Sequence, residues 1–331
     1  MEYRTLGKSG LKVSALSFGS WVTFHNQVNT DLAYELMVLA YESGVNFFDN
    51  AEVYADGNSE TIMGEVLKRT QWKRSDLVIS TKIFWGGNGV NDIGLSRKHI
   101  FEGTHAALKR LQLDYVDLLF CHRPDPVTPV EETVWAMHQL IMQGKALYWG
   151  TSEWNALQIA EAYNFAISAN LIPPLMEQPQ YNMFVRDRVE KEYLPLYAKT
   201  GLGTTIWSPL ASGILSGKYA NGIPEGSRLS RADMDWLKKR LDNEKGKEQL
   251  TKTRYLQAVA IDTGMTVSQL AIAWCLKNPH VSTVILGASN INQLGENLQA
   301  LDKIEKLTPE VMARIEMILS NKPVQEMAFR T

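Results

Sequence analysis

Apolar residues along this chain fall into short continuous runs separated by longer stretches of helical periodicity. The runs predicted as strands are Ala15–Gly19, Val45–Asn50, Leu77–Ile83, Tyr115–Phe120, Ala146–Thr151, Leu175–Gln178, Thr204–Ser208 and Thr283–Gly287. After the first run, Leu32, Leu36 and Leu39 recur at the spacing of one helix face. Continuous apolar runs indicate strands buried on both faces, as in parallel sheets covered by helices. Eight strand–helix repeats therefore predict the α/β class and a closed (β/α)8 TIM barrel.

Two segments at the start of the chain predict a β-hairpin ahead of the barrel. Tyr3–Leu6 and Leu11–Ser14 flank Gly7–Gly10, whose glycine and serine residues favour a tight turn. We expect this hairpin to lead directly into the first barrel strand.

A long irregular stretch follows the seventh predicted strand. Between Ser208 and Lys252, several glycines and a proline precede a charged run at Asp235–Lys247, which predicts a long loop with its own helix. Loops of that length in a compact domain are usually functional. A last helical pattern, Pro309–Leu319, is expected to pack on the barrel exterior. Because no break in composition marks a boundary, we expect one domain over residues 1–331.

The composition is that of an ordinary folded protein and narrows the choice of partners. Hydrophobic residues make up 45% and charged residues 21%, and the formal net charge is −2. That balance gives no general attraction to nucleic acid or anionic lipid. Cys121 and Cys275 are too few for a disulfide framework. With neither a signal peptide pattern nor an apolar run of about 20 residues, we expect a cytoplasmic protein.

Four polar residues lie where the predicted strands end. Asp49 lies near the end of the second predicted strand, and Tyr54 follows in its loop. Lys82 lies near the end of the third strand, and His122 follows the fourth. Barrels of this type build their active sites from the carboxyl ends of the strands. Since the three strands are neighbours, we expect these side chains to meet at one face.

The four side chains together could protonate a carbonyl oxygen as hydride reaches its carbon. Lys82 is expected to lower the pKa of Tyr54 from about 10 towards neutrality, because an ammonium favours the phenolate. Asp49 would compensate the buried charge of Lys82, and His122 would direct the carbonyl. Each residue also has a structural interpretation: Asp49 as a helix N-cap, Tyr54 as a packing residue, and His122 as a hydrogen-bonded structural histidine. Their common location favours the catalytic interpretation.

The sequence has no Gly-x-Gly-x-x-Gly dinucleotide fingerprint and no Walker A motif. A different anion site is predicted after the eighth strand, where Gly287 and Ser289 precede a helical pattern that carries Gln293, Glu296 and Asn297. Free N–H groups and the dipole at a helix N-terminus attract phosphate, and phosphate sites near strands seven and eight are common in this barrel.

The long seventh loop adds two cations to this predicted anion site. Lys218 and Arg228 are suited to a phosphomonoester. The alternative is that both are ordinary surface charges and that Ser289 is only a helix cap. No metal is expected.

Several segments together resemble the aldo-keto reductases. The resemblance is closest to the potassium-channel β-subunit branch and its plant and bacterial relatives, and it covers nearly the whole chain. The matching segments are Phe48–Tyr54, Ser80–Gly87, Tyr115–Pro124, Tyr148–Ser152, Trp207–Ala211, Ala271–Cys275 and Leu286–Asn290.

That resemblance implies NADPH as hydride donor and a catalytic tetrad of Asp49, Tyr54, Lys82 and His122, with Tyr54 as the general acid. The implied cofactor-binding residues are Ser20, Trp21, Gln27, Asp49, Ser152, Gln178, Trp207, Ser208, Pro209, Leu210, Ala211, Ser212, Lys218, Arg228, Gly287, Ser289, Gln293, Glu296 and Asn297. The implied substrate pocket consists of Trp21, Phe24, Tyr54, Trp85 and His122.

The resemblance also assigns parts of the cofactor to groups of residues. Ser152 and Gln178 would hold the carboxamide, and Trp207 would stack on the nicotinamide ring. The pyrophosphate would touch Ser208, Leu210 and Ser212. The 2′-phosphate end would bind Lys218, Arg228, Ser289 and Gln293. The adenine would lie at Glu296 and Asn297. Ser20, Trp21 and Gln27 would line the nicotinamide and the substrate mouth.

The chain departs from the animal channel β subunits at two positions and at its start. Those proteins carry Asn where this chain has His122 and Arg where it has Glu153. Some of them have an N-terminal extension, which we expect this protein to lack. His122 completes the reductase tetrad, so the sequence favours NADPH-dependent reduction of aldehydes or ketones to alcohols. The alternatives are an NADP(H)-sensing regulatory subunit of a potassium channel or other transporter, and a non-redox barrel lyase or isomerase. The resemblance further implies a homo-oligomer, with a tetramer favoured.

Overall fold

The structure is a computed structural model, and it describes residues 1–21, 30–219, 222, 224 and 235–324. Ten strands are present in that part of the chain: β1 Tyr3–Thr5, β2 Lys12–Ser14, β3 Leu16–Gly19, β4 Phe47–Asp49, β5 Val78–Ile83, β6 Val116–Cys121, β7 Ala146–Ser152, β8 Met176–Gln178, β9 Gly203–Ile206 and β10 Thr283–Leu286. The described α-helices are α1 Thr30–Glu42, α2 Asn58–Thr70, α3 Arg97–Leu111, α4 Val130–Met142, α5 Ala156–Ser168, α6 Leu194–Thr200, α7 Asp235–Asp242, α8 Glu244–Asp262, α9 Val267–Lys277, α10 Ile291–Leu298 and α11 Pro309–Leu319.

Strands β3 to β10 form a closed parallel barrel in chain order, and β10 returns to pair with β3 through Val284 and Leu16. Every one of the eight predicted barrel strands is therefore confirmed, as is the TIM barrel itself. The predicted hairpin is confirmed as well, because β1 and β2 pair antiparallel with Tyr3 opposite Ser14.

The barrel strands bury both faces, which explains their continuous apolar character. On β6, Leu118 and Phe120 pack in the barrel interior with Phe47. The residues between and after them, Leu119 and Cys121, belong to the larger core between the barrel and the helices. Since successive side chains of a strand point to opposite faces, one apolar run supplies both layers.

The N-terminal hairpin closes one end of the barrel. Leu6 and Val13 are fully buried in the interior cluster. Gly7 allows this close approach, because a Cβ atom there would lie 2.5 Å from the carbonyl oxygen of Gly201, and its φ of +53° suits glycine. The hairpin packs on Phe47, the first residue of β4, so the opposite end, where the strands finish, remains for the site.

The charged run after the seventh barrel strand forms two helices, not the one predicted. Asn243 separates α7 from α8, and its side chain accepts a hydrogen bond from the Gly246 N–H at 2.9 Å. Asn is a preferred N-cap, so α8 starts anew at Glu244. The predicted last helix is confirmed at Pro309–Leu319, where it contacts α8.

Within the described ranges, no single helix is long and apolar enough to cross a membrane. Helices α8 and α9 meet length and composition criteria only as a pair, and they are bent by 87° relative to each other. All residues of α9 from Val267 to Leu276 are buried inside the protein.

Candidate active site at the carboxyl ends of the strands

Three neighbouring strands bring the four predicted catalytic side chains to one end of the barrel. Asp49 is the last residue of β4, Lys82 is the penultimate residue of β5, and His122 follows β6. Tyr54 lies in the loop after β4. The parallel pairing of β4 with β5 and of β5 with β6 places these residues side by side, as the sequence predicts.

Lys82 lies at the centre of this group. Its side chain is fully buried, and its ammonium is 2.7 Å from Asp49 Oδ2 and 2.9 Å from the Tyr54 phenol oxygen. The third ammonium donor is used by the Asn50 carbonyl oxygen at 2.8 Å. All three N–H groups of Lys82 therefore have acceptors, so the buried cation is compensated by charge and by hydrogen bonds.

Asp49 is held by residues from other parts of the barrel. Its Oδ1 atom accepts hydrogen bonds from Ser80 Oγ at 2.7 Å and from Gln178 Nε2 at 3.0 Å. The backbone carbonyl oxygen of Gln178 in turn accepts a hydrogen bond from Ser152 Oγ at 3.0 Å. Ser152 and Gln178, predicted to hold the carboxamide of the cofactor, thus also connect β7 and β8 to the carboxylate on β4.

The pKa of Tyr54 shifts in the direction opposite to the sequence expectation. Burial raises the pKa of the phenol above its usual 10, and the nearby Asp49 carboxylate adds to that rise. The Lys82 ammonium lowers the pKa through its charge and its hydrogen bond, but by less than burial and Asp49 together raise it. The expected pKa near neutrality is therefore wrong for this structure, and Tyr54 is a protonated phenol at neutral pH.

Lys82 and His122 have pKa shifts that fix their charge states. Burial lowers the pKa of Lys82, but Asp49 and Tyr54 together raise it above the usual value, so Lys82 is an ammonium. Burial, followed by the charges of Lys82 and Arg123, holds the pKa of His122 well below its usual value, so the imidazole is neutral. Its ring meets those of Tyr54 and Trp85 edge to face, with centroids 5.7 and 5.2 Å apart.

A cleft of about 900 Å³ opens above these groups. Of the residues predicted for the site, the following line it: Trp21, Asp49, Tyr54, Trp85, His122, Ser152, Gln178, Trp207, Ser208, Pro209, Leu210, Ser212, Lys218, Gly287, Ser289, Gln293 and Asn297. A volume of that size fits a large ligand, since pockets for small molecules and cofactors usually span about 300–1,000 Å³.

Some predicted residues lie elsewhere. Ser20 is buried with its hydroxyl donating to the Asp49 carbonyl oxygen at 3.1 Å, and neither it nor Ala211 is among the cleft-lining residues. Glu296 is exposed and also outside that set, whereas the neighbouring Asn297 lines the cleft. The predictions for Phe24, Gln27 and Arg228 fall outside the described residues.

The end of the cleft near α10 carries the predicted anion site. Asn290, rather than Ser289, is the N-cap of α10, because its side chain accepts from the Gln293 N–H at 2.9 Å. Ser289 precedes the cap and donates through its N–H and hydroxyl to Gln293 Oε1. Asn297, in the same helix as Gln293, is 2% exposed, and its amide nitrogen has no hydrogen-bond partner in the described structure.

The segment after β9 has an unusual backbone where it lines the cleft. Ser208, Ala211 and Ser212 have positive φ values of 56°, 48° and 59°, and Gly213 follows at 96°. Left-handed conformations are costly for residues with a Cβ atom and cluster at functional sites. The Ser212 N–H donates to Ser208 Oγ at 3.1 Å, which closes the turn.

Trp207 is held in place by Glu153. The indole N–H donates to Glu153 Oε1 at 2.9 Å, and the same oxygen accepts from the Gln180 N–H at 2.6 Å. The other carboxylate oxygen pairs with Arg188 at 2.6 Å. Trp21, which also lines the cleft, meets the Trp207 ring edge to face, with the ring centroids 6.0 Å apart.

Several cleft residues were not predicted from the sequence: Gly19, Val53, Arg123, Gly213, Ile285, Leu286 and Ala288. Most of them adjoin predicted residues in the chain, so their position next to those residues was the feature that could have identified them. Arg123 follows His122 within the Tyr115–Pro124 motif, yet nothing local distinguishes it from a surface arginine.

Comparisons with a family model and with two similar proteins agree with the resemblance seen in the sequence. Residues 15–320 match the family model described as Aldo/keto reductase family. A protein from Arabidopsis thaliana named "Probable voltage-gated potassium channel subunit beta" is 54% identical over 331 residues, which is the full length of both chains. A protein of the same name from Oryza sativa subsp. japonica is 53% identical, again over the full length of both.

Proposed function

The chain belongs to the aldo/keto reductase family, and from that premise we propose that it reduces aldehydes or ketones to alcohols with NADPH. The observation that carries the proposal is the buried chain of contacts from Asp49 through Lys82 to Tyr54, at 2.7 and 2.9 Å, at the base of the large cleft. A phenol with an ammonium at its oxygen is a proton donor whose conjugate base is stabilised as it forms.

The residues around the cleft fit a dinucleotide. The unpartnered amide nitrogen of buried Asn297 lines the cleft and offers a donor to a base. The turn of Ser208 to Ser212 and the N-terminal region of α10 supply backbone donors for phosphate groups. When bound there, NADPH would supply the hydride for the carbonyl carbon.

The catalytic roles follow from the charge states of the side chains. Tyr54 would donate its proton to the carbonyl oxygen, and Lys82 would stabilise the resulting phenolate. Asp49 would keep Lys82 in place by charge and hydrogen bond. Neutral His122 would help to orient the carbonyl oxygen beside Tyr54. Trp207, fixed by Glu153, would form one wall for the nicotinamide.

Preference for NADPH over NADH would come from cations at the phosphate end of the cleft. Lys218 lines the cleft together with Ser289 and Gln293. We infer a contribution of Arg228 from the family resemblance alone, and we expect the protein to act in the cytoplasm as a homotetramer.

The direct test is oxidation of NADPH by the purified protein, followed at the nicotinamide absorbance. Short aldehydes, glyoxals, aromatic aldehydes and sugar aldehydes would serve as the carbonyl panel. Turnover with at least one of them, together with NADP(H) binding, is the expected result. A protein that binds NADPH but leaves it unoxidised with every carbonyl would contradict the reductase proposal.

The names of the relatives support a second candidate function. The two relatives reported above are both named as channel β subunits, so this chain is also a candidate for association with a potassium channel. Co-purification of the intact chain with a plant voltage-gated potassium channel from detergent, compared with an unrelated channel, would test it.

A further inference from the structure

Arg123 places a guanidinium in the cleft next to the catalytic group. It follows His122 at the end of β6, lines the cleft and is partly buried. Its guanidinium carbon lies 5.4 Å from the centre of the Trp85 ring. Its Nη1 atom donates to the His122 carbonyl oxygen and, at 3.4 Å, to Ser152 Oγ. Backbone and ring contacts thus hold the side chain towards the cleft.

The charge of Arg123 is not balanced by a carboxylate among the described residues. Seven other arginines in that part of the chain do form ion pairs: Arg4, Arg69, Arg74, Arg110, Arg186, Arg188 and Arg314. Asp49, which also lines the cleft, is already paired with Lys82. The wall near His122 is therefore positive, and Arg123 contributes to the low pKa of that imidazole.

The guanidinium also has donors to spare. Its Nε and Nη2 atoms make no hydrogen bond to any described residue. These two nitrogens form the edge of a guanidinium that matches both oxygens of a carboxylate. Trp85 contacts the guanidinium, and Trp21 and Val53 add further apolar and aromatic surface to the same cleft.

We propose that Arg123 selects carbonyl substrates that carry a carboxylate, binding it while the aldehyde or ketone lies at Tyr54 and His122. This inference rests on the proposed reductase function and names its substrate class. The aromatic wall favours a planar or aromatic body between the two groups.

A cofactor phosphate is the competing ligand for Arg123, and the fold argues against it. The candidate phosphate-binding segments follow β9 and β10, whereas Arg123 follows β6, with β7 and β8 between. On the substrate side, Arg123 instead touches Trp85, which packs against the His122 ring.

The test uses two aldehydes of similar size, 4-carboxybenzaldehyde and the neutral methyl 4-formylbenzoate. The wild-type protein is expected to show the higher kcat/KM with the carboxylate. In Arg123→Gln, kcat/KM for the carboxylate should fall by roughly tenfold to a hundredfold, the range for hydrogen bonds to charged groups. The value for the ester should change by less than about threefold, and Arg123→Lys should be intermediate, since an ammonium lacks the planar fork.

Arg314→Gln is the matched control, because it removes an equal charge from an exposed side chain of helix α11 that does not line the cleft. Equal wild-type kcat/KM for the two aldehydes, or equal losses for both in Arg123→Gln, would overturn the assignment. A selective loss of NADPH affinity in that variant would do so as well, by placing the cofactor at Arg123. If Arg123→Gln does not fold, the wild-type comparison decides alone.

A binding measurement separates this inference from the reductase proposal. Benzoate and benzamide would be titrated calorimetrically against wild type and Arg123→Gln in the presence of NADP+. Benzoate binding at least about tenfold tighter than benzamide, and lost in the variant, supports Arg123 whether or not the aldehydes turn over. Turnover of neither aldehyde counts against the reductase, whereas equal binding of benzoate and benzamide counts against Arg123.

Discussion

The ammonium of Lys82 lies 2.9 Å from the phenol oxygen of Tyr54, and the lysine side chain is completely buried. The ammonium lowers the pKa of the phenol, but burial and the Asp49 carboxylate together raise it by more. Tyr54 is thus protonated at neutral pH, and the ammonium is in contact with the oxygen on which negative charge would develop. Substitution of Lys82 or Tyr54 should therefore change the rate of reduction.

Removing Lys82 should affect stability and activity together. In Lys82→Met the Asp49 carboxylate, 3% exposed, loses its counter-charge, and we expect a loss of about 3–5 kcal/mol in the free energy of unfolding. Aldehyde reduction should fall below about 1% of wild type, because the phenolate loses its stabilising charge. Urea unfolding and steady-state kinetics would measure the two effects.

The double variant Asp49→Asn with Lys82→Met separates the effect on stability from the effect on activity. Removing both charges should restore much of the stability, since replacing a buried ion pair is often nearly neutral. Activity should stay low. Recovery of activity along with stability would show that Lys82 acts on the fold alone.

Tyr54→Phe removes the proposed proton donor and little else. We expect the rate of aldehyde reduction to fall by about 10²- to 10⁴-fold, the usual contribution of a general acid. NADPH affinity, followed by nicotinamide fluorescence, should stay within about threefold of wild type. Undiminished reduction in this variant would rule out Tyr54 as the acid.

The rate of reduction should be nearly independent of pH between about 6 and 9. Reduction needs the phenol proton, and burial holds the pKa of Tyr54 above its usual 10. His122 does not titrate in that window, because burial and the charges of Lys82 and Arg123 hold its pKa well below the usual value. The rate should fall only at higher pH. A descending limb centred near pH 7 in kcat would contradict this assignment.

Lys218→Ala combined with Arg228→Ala should weaken NADPH binding far more than NADH binding. The 2′-phosphate distinguishes the two cofactors, and a charge-assisted contact contributes about 1.5–3 kcal/mol. We expect Kd for NADPH to rise by at least about tenfold and Kd for NADH by less than about threefold. Equal losses for both would place these cations away from the 2′-phosphate.

Glu177 provides a prediction about stability and pH. It is fully buried on β8, where burial raises its pKa to about 8 and the Thr151 hydroxyl, by hydrogen bonding, opposes that rise. An acid whose folded pKa is raised keeps its proton between about pH 4.5 and 8 while the unfolded chain loses it. Folding stability should therefore fall as pH rises through that window.

Glu177→Gln should remove this dependence. At pH 9 the variant should be more stable than wild type by roughly 1–4 kcal/mol, and near pH 4 the two should be similar. Urea unfolding at both pH values measures the difference. A constant offset across the range would mean that the glutamate is ionised in the folded state.

The sequence alone determined the barrel, its hairpin and the placement of the tetrad. Continuous apolar runs are local features, and a residue at the end of such a run is at a strand end in any parallel barrel. Asp49, Lys82 and His122 were therefore predictable without long-range information. The prediction that Trp85 and Trp207 line the site came from the family resemblance.

Only the tertiary structure decided how these groups behave. Gln178 donates to Asp49 across 129 residues of chain, and Glu153 fixes Trp207 through a left-handed backbone position. The pKa of Tyr54 rises rather than falls because burial depends on every element packed around the phenol. Arg123 stands out only once the fold places its unpaired guanidinium in the cleft. Sequence patterns record which face of a strand or helix is apolar, whereas desolvation and charge compensation are sums over neighbours that the fold brings together.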